Sequence, residues 1–352
     1  MKNLWALLAV VIIVIGGWYA LSGKPEVNAQ KIMIGVIAPL NGPAASMGEA
    51  IRNSVNLVKA GNVTFEFEDD QCDAKKAIAA YQAMKLKGTR IFYVACSGSV
   101  LSLAPMVKEN NDLIITAYAG STEIRKTGKE VIRFNPDGMS VIGVMTDYLA
   151  SAPFAKYGIL YEKQDYAQSV VDGLKGKLDK NIVAEEGYLS ADTSFKTQIA
   201  KLKASGADAI IFVPVSDVAA KIIYGEMRDL KMDKPIVGEV NACDYAFKPS
   251  DYGLKGVCWR AGIDTEGYKA FAAAFKAKYG SDPAYPLYDS FTYDSMGIVD
   301  RLLAGKTPLD DAAVRSIEDE IVKGQKGNVT DFSFDADGEV LANQYLKLIE
   351  FK

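Results

Sequence analysis

Strand-like and helix-like segments alternate twice along this chain, and that pattern restricts its fold more than any other feature. KIMIGVIAPL (31–40) is a nearly continuous apolar run rich in Ile and Val, which suits a strand covered on both faces. SMGEAIRNSVNLVKA (46–60) follows a Gly-Pro loop, and its Ala50, Ile51, Ser54, Val55 and Val58 share one helical face. VTFEFE (63–68) alternates as a strand, and AKKAIAAYQAMKLK (74–87) is a helix with Ala77, Ile78, Tyr81 and Met84 on its stripe. IFYVAC, LIITA and VIRFNP give three more strands, with a helix over 99–110 that tolerates Pro105 and another over 139–151. The pattern then restarts. YGILY (157–161), IVAEEGY, ADAIIFVPV (207–215) and KPIVGEV read as strands, with helices at 166–178, 194–205 and 217–231 between them.

A βα repeat of this kind implies parallel sheets with right-handed crossovers, so two runs predict an α/β fold of two doubly wound, Rossmann-like α/β/α domains. The length of 352 residues, at roughly 150 per domain, agrees. Helices follow at 265–279, 288–304 and 310–323, and the chain ends in two strands, VTDFSFD and LANQYLKLIEF, joined by a β-turn at Ala336-Asp337-Gly338. The default place for a ligand is the crevice at the carboxyl ends of the strands, between the domains.

Composition removes whole classes of function. The chain contains no histidine, which excludes Ser-His and Cys-His nucleophile pairs, His-ligated zinc and imidazole general bases. Forty basic and 44 acidic side chains give a net charge of −4, without the basic excess of a nucleic-acid binder. Motifs fail as well. AGKTP (304–308) has Asp300 where a phosphate-binding loop needs glycine, and no G-x-G-x-x-G follows the first strand. ACSGS (95–99) carries Ala95 and Ser99 where a nucleophile elbow needs glycines, and the acids at 335–339 miss the calcium-loop register. No cofactor and no metal are expected, and an enzyme is disfavoured.

Residues 1–29 read as a signal peptide or an N-terminal membrane anchor. The uncharged run LWALLAVVIIVIGGWYAL (4–21) falls between the length of a signal-peptide core and that of a spanning helix. Small residues suited to cleavage occur at Ala20/Ser22 and Val27/Ala29, so cleavage and retention both stay open. Either way, the remainder is expected outside the cytoplasmic membrane. The four cysteines agree: they fall as two sequence-local pairs, Cys72 with Cys96 and Cys243 with Cys258, one of three possible connectivities. In an oxidising compartment each bridge would contribute roughly 3 kcal/mol. Four buried free thiols are the alternative.

The succession IGVIAPLNGPAASMGEAIRN, FEDDQCDAKKAIAA, VACSGSVLSLAP, YEKQDYAQS and YDSFTYDS resembles the branched-chain amino acid receptors, the leucine/isoleucine/valine-type binding proteins that feed ABC transporters. The resemblance runs from about Lys31 to the C-terminus. It implies a type I periplasmic binding protein: two lobes joined by a three-crossover hinge, with a first disulfide between Cys72 and Cys96. The lobes would comprise residues 30–138 plus 264–329, and 139–263 plus 330–352. It implies an amino acid ligand, a membrane ABC permease as partner and a monomer. A sensor of the same fold, signalling without transport, has the same sequence features.

Ser97-Gly98-Ser99 falls where a strand ends and a helix begins, so free backbone N–H groups and a hydroxyl could receive a carboxylate there. Ordinary helix capping by Ser97 or Ser99 is the alternative. The resemblance implies that Ser97 holds a ligand carboxylate, and that the strand exit at Ala119, Gly120 and Ser121 offers carbonyls and a hydroxyl to an ammonium. Gly120 departs from the family's usual Thr. From the second lobe, Tyr166 matches a Tyr that closes over the ligand, with packing on the surface as the alternative. Glu239, or else Asn241 or Asp244, would face an ammonium. Met47 and Ser216 stand where relatives often carry aromatic residues, which alters the pocket and favours "amino acid or similar small zwitterion" over leucine alone.

Overall fold

A computed structural model describes residues 31–244, 248–335, 338–341 and 343–351. The leader and the turn residues Ala336 and Asp337 lie outside the described residues, and so does the Asp244 side chain. Two sheets organise the remainder. The first runs β2-β1-β3-β4-β5 and is wholly parallel. Its strands are β1 (Ile32–Ala38), β2 (Val63–Asp69), β3 (Ile91–Val94), β4 (Leu113–Thr116) and β5 (Val131–Arg133). Between them run α1 (Ala45–Val55), α2 (Ala74–Leu86) and α3 (Ser97–Glu109). β3 and β4 are buried at every position, as their continuous apolar runs require once helices cover both faces.

The chain enters the second sheet through α4 (Gly138–Ser151), whose N-cap Asp137 accepts the Ser140 amide at 2.9 Å. That sheet runs β13-β10-β9-β8-β6-β7, parallel except for the antiparallel edge pair β10–β13. Its strands are β6 (Tyr157–Glu162), β7 (Ile182–Tyr188), β8 (Ala209–Val213), β9 (Ile236–Gly238), β10 (Gly256–Ala261) and β13 (Leu346–Phe351). Helices α5 (Asp165–Leu178), α6 (Lys196–Ala204), α7 (Asp217–Asp229) and α8 (Asn241–Asp244) lie between them. The chain then leaves the sheet for α9 (Glu266–Tyr279), α10 (Pro286–Leu302) and α11 (Asp311–Val322). Of these, α9 and α10 pack on α1. It passes the short pair β11 (Gln325–Lys326) and β12 (Asp331–Phe332) before β13 returns to the second sheet. The polypeptide therefore crosses between the sheets three times.

Two expectations change in detail. The final segments do not pair as a long hairpin: apart from a single bridge between Phe334 and Val340, LANQYLKLIEF forms a strand only from Leu346, against β10. β10 itself was not anticipated, because Gly256 and Gly262 interrupt the apolar pattern around GVCWRA. Both disulfides form as the local pairing expected. Cys72–Cys96 ties the β2–α2 loop to the start of α3, and Cys243–Cys258 ties α8 to β10, with Cα–Cα distances of 5.4 and 6.1 Å.

Candidate functional site

In each sheet one strand sends its two neighbours in opposite directions, which opens a crevice at the carboxyl ends. In the first sheet this switch lies between β1 and β3, and in the second between β6 and β8. The exits of these four strands meet around one cavity. Ala44, Ser46 and Met47 come from after β1, Ala95 to Gly98 from after β3, Gln164 to Tyr166 from after β6, and Val215 with Asp217 from after β8. Asn135, Asn241 and the wall Tyr118, Tyr285 and Tyr288 complete much of it. About 70 Å³ of the cavity is open to the centre of a water molecule, room for a small organic molecule and not for a folded partner. No Lys or Arg lines it among the described residues.

The first-sheet rim is rigid. α3 starts at Ser97 without any side-chain cap, so the amides of its first turn face the cavity end of the helix. Cys96, the preceding residue, is held by its disulfide to Cys72. Ser99 does not point to the cavity; its hydroxyl donates to buried Asp70 at 2.5 Å, locking the helix from behind. Burial pushes the Asp70 carboxyl above its ordinary range. The Ser97 hydroxyl accepts the Ser121 amide at 3.1 Å, which fixes the oxygen and leaves its proton to be donated.

Two glycines on this rim make room for the opposite one. A Cβ on Gly98 would lie 2.3 Å from Asp165 Oδ2, and a Cβ on Gly120 would lie 2.7 Å from the Tyr166 ring. At Gly120 the space that a side chain would need is occupied by the Tyr166 ring. Other contacts also join the halves. Ser216 Oγ donates to Pro43 O at 3.1 Å while capping α7, and the Thr122 amide donates to Ser169 Oγ at 3.2 Å.

The second-sheet rim is positioned by buried carboxylates. Glu162 accepts the amides of Val215 and Ser216 at 3.0 and 2.8 Å, and also bonds Gln164 and Ser190. Glu239 is fully buried behind the wall: it accepts the Tyr166 hydroxyl at 2.9 Å and the Asn241 amide at 2.8 Å. It therefore holds residues that line the cavity and does not line it itself.

Of the residues singled out from the sequence, Met47, Ser97, Gly98, Gly120, Tyr166 and the alternative Asn241 line the cavity, and Ser99, Ala119, Ser121, Ser216 and Glu239 are not among its lining residues. Carbonyls expected to be open are already engaged. Gly120 O accepts the Gly138 amide at 2.6 Å, Ser121 O accepts Arg133 Nη1 at 2.8 Å, and Ala119 O accepts Asn135 Nδ2 at 3.3 Å. The Ser121 hydroxyl is buried and accepts the Glu123 amide at 3.3 Å. The sequence reading missed Asn135, Asp165 and Asp217. Asn135 sits at the exit of VIRFNP just before Pro136, and the two acids open the helices that follow β6 and β8; the strand-exit rule pointed to all three positions. Tyr285 and Tyr288 were also missed, although Tyr288 lies within the quoted YDSFTYDS, and Tyr118, which opens the strand exit expected to offer carbonyls, contributes to the wall. Tyr118 packs on Tyr285 and Tyr288 at centroid distances of 5.9 and 5.2 Å and donates to Asp289, whose carboxyl burial raises to about 7.

Two switch-point sheets, three crossings and a shared cavity between the strand exits define a bilobal solute-binding protein. The chain belongs to the Periplasmic binding protein family, whose pattern it matches over residues 31–321. It is a periplasmic solute-binding protein of the Leu/Ile/Val-binding type. It is 26% identical to the Leu/Ile/Val-binding protein of Escherichia coli K12 over 348 residues, 90% of this chain and 89% of that one. Leu/Ile/Val-binding protein homolog 3 of Brucella melitensis is 28% identical over 200 residues, 51% of this chain and 54% of that one. The chain's fold is also that of a Streptococcus pneumoniae branched-chain amino acid transporter substrate binding protein in complex with isoleucine (TM-score 0.74, 19% identity, 91% and 100% of the two chains). An R. palustris solute binding protein in complex with benzoate is similar too (TM-score 0.79, 16% identity, 92% and 93%). These relatives are binding proteins by name. The family is extracytoplasmic, which two disulfides fit.

Proposed function

We propose that this protein captures an amino acid, or a similar small zwitterion, between two lobes and delivers it to a membrane ABC permease. The lobes are residues 30–138 with 264–329, and 139–263 with 330–352. The observation that carries the reading is the pairing of an uncapped helix start at Ser97-Gly98 with acidic and amide oxygens of the opposite wall, in a cavity without basic side chains. A ligand carboxylate belongs at the helix start and its ammonium among the oxygens. The ligand favours the closed arrangement because only there are Tyr166 and Asp217 brought to the first-lobe rim, a shift of population and not of covalent structure.

Native mass spectrometry of the purified protein, followed by thermal-shift screening, tests this. A bound amino acid at 100 times its Kd stabilises the native state by about 2.7 kcal/mol and raises Tm by several degrees. A panel in which no amino acid raises Tm rejects the reading. The tyrosine wall favours a second one, an aromatic acid, so benzoate and 4-hydroxybenzoate belong in the same panel.

A further inference from the structure

The deepest polar side chain on the cavity wall is Asn135, which is 1% exposed. Its amide nitrogen lies between two carbonyls, Ala119 O at 3.3 Å and Pro136 O at 3.0 Å. Only NH₂ can face two acceptors, so the amide cannot be turned around, and the atom on its other side is oxygen. That oxygen, Oδ1, has no hydrogen-bond partner among the described residues. A buried acceptor without a donor is costly, and folded proteins seldom keep one without a use. From the opposite sheet, Asp217 opens α7 at the same cavity, and its Oδ1 is likewise sealed from solvent and without a hydrogen-bond partner among the described residues. The two residues that carry these oxygens line one cavity from opposite sheets. The nearby carbonyls of Ala119, Gly120 and Ser121 are already engaged by Asn135, Gly138 and Arg133.

We infer that Asn135 and Asp217 together form the subsite for a nitrogen-bearing donor group of the ligand, a primary ammonium, and set specificity by rejecting acids that lack it. This rests on the zwitterion reading above. An ammonium has three N–H donors, enough to satisfy both oxygens, and its charge offsets that of Asp217. A plain carboxylic acid of the same shape leaves both oxygens unsatisfied and adds a second negative charge. Discrimination of this kind, built on buried acceptors that go unpaired, exceeds what a difference in apolar fit provides.

The experiment is calorimetry with matched probes: L-leucine against 4-methylpentanoate, and L-phenylalanine against 3-phenylpropanoate. Each acid is its amino acid without the amine. Wild type is expected to prefer the amino acid of a pair by about 100-fold or more. Asn135→Leu removes the acceptor at nearly constant volume. It should weaken the amino acid by about tenfold or more and leave the deaminated acid unchanged. Asp217→Asn should weaken the amino acid and strengthen the deaminated acid, because the repulsion goes. A merely structural role for either residue would move both members of a pair equally, and that outcome overturns the assignment. So does tight amino acid binding that Asn135→Leu and Asp217→Asn leave untouched, although the zwitterion reading then survives. Wild type that binds the deaminated acids and neither amino acid overturns both.

Discussion

The two rims of the cavity are built by different means. On the first, the start of α3 is fixed by the Cys72–Cys96 bridge and by Ser99 on Asp70, and what it presents is main chain. On the second, Tyr166, Asn241 and the loop before α7 hang on Glu239 and Glu162, and what they present is mostly side chain. On the proposed reading, these main-chain amides receive the carboxylate that every amino acid has, and a covalent tether keeps them in register. Side chains held by hydrogen bonds can be exchanged one at a time. The contrast suggests a generic anchor facing an adjustable lid.

The sharpest way to break this comparison is to remove the tether. Replacing Cys72 and Cys96 by Ala opens a link between residues 24 apart and should lower stability by about 3 kcal/mol, read by urea unfolding. Affinity should fall with it, since the Ser97 amides lose their fixed placement. If affinity stays at the wild-type level, the rim does not need its tether and the contrast fails. Next in size is Gly120→Thr. The new side chain would occupy the space of the Tyr166 ring, so it should weaken binding by about 2–3 kcal/mol, the scale of overpacking, with little change in unfolding. Unaltered binding would mean that Tyr166 does not close against Gly120.

Much of this was legible in the sequence because it rests on periodicity. The strands from Ile32 to Gly238 follow from apolar runs, Ser97 and Gly98 follow from the rule that strand exits and helix starts collect at switch points, and Tyr166 came from the family resemblance. What stayed hidden depends on which way side chains turn. Ser99 reads like Ser97, yet one helix step carries it to the back of α3 and onto Asp70. Glu239 reads as a ligand partner, but the backbone after β9 sends it behind Tyr166. Asn135 stands at a strand exit, but its residue type gave no signal, since its value lies in two carbonyls that use up its nitrogen. No pattern of residue types encodes that.

The first rim should also be the acid-stabilised one. Asp289 is fully buried on α10, accepts the Tyr285 amide and the Tyr118 hydroxyl, and has its carboxyl raised to about 7, above all by loss of solvent. An acid whose native pKa is raised holds its proton in the folded state after the unfolded chain has released it. Its contribution is therefore complete below about pH 4 and is lost as pH rises through about 7. Wild type should lose on the order of 1–2 kcal/mol more than Asp289→Asn between pH 5.5 and 7. Parallel losses in the two proteins would show that Asp289 ionises freely in the fold.

The smallest effect belongs to the lid. Tyr166→Phe keeps the ring that lies over Gly120 and removes the 2.9 Å bond to Glu239. Stability should scarcely move, because Glu239 keeps the Asn241 amide. The bound complex should loosen by about 1 kcal/mol, roughly fivefold in Kd. The loss should appear in the dissociation rate, since the ring that the hydroxyl steadies meets Gly120 only once the halves have closed, while encounter depends on the open cavity. Stopped-flow dissociation separates the two rates. A slower association with unchanged dissociation would assign Tyr166 to the entry of the ligand, and the second rim would then be a gate that admits and not a lid that retains.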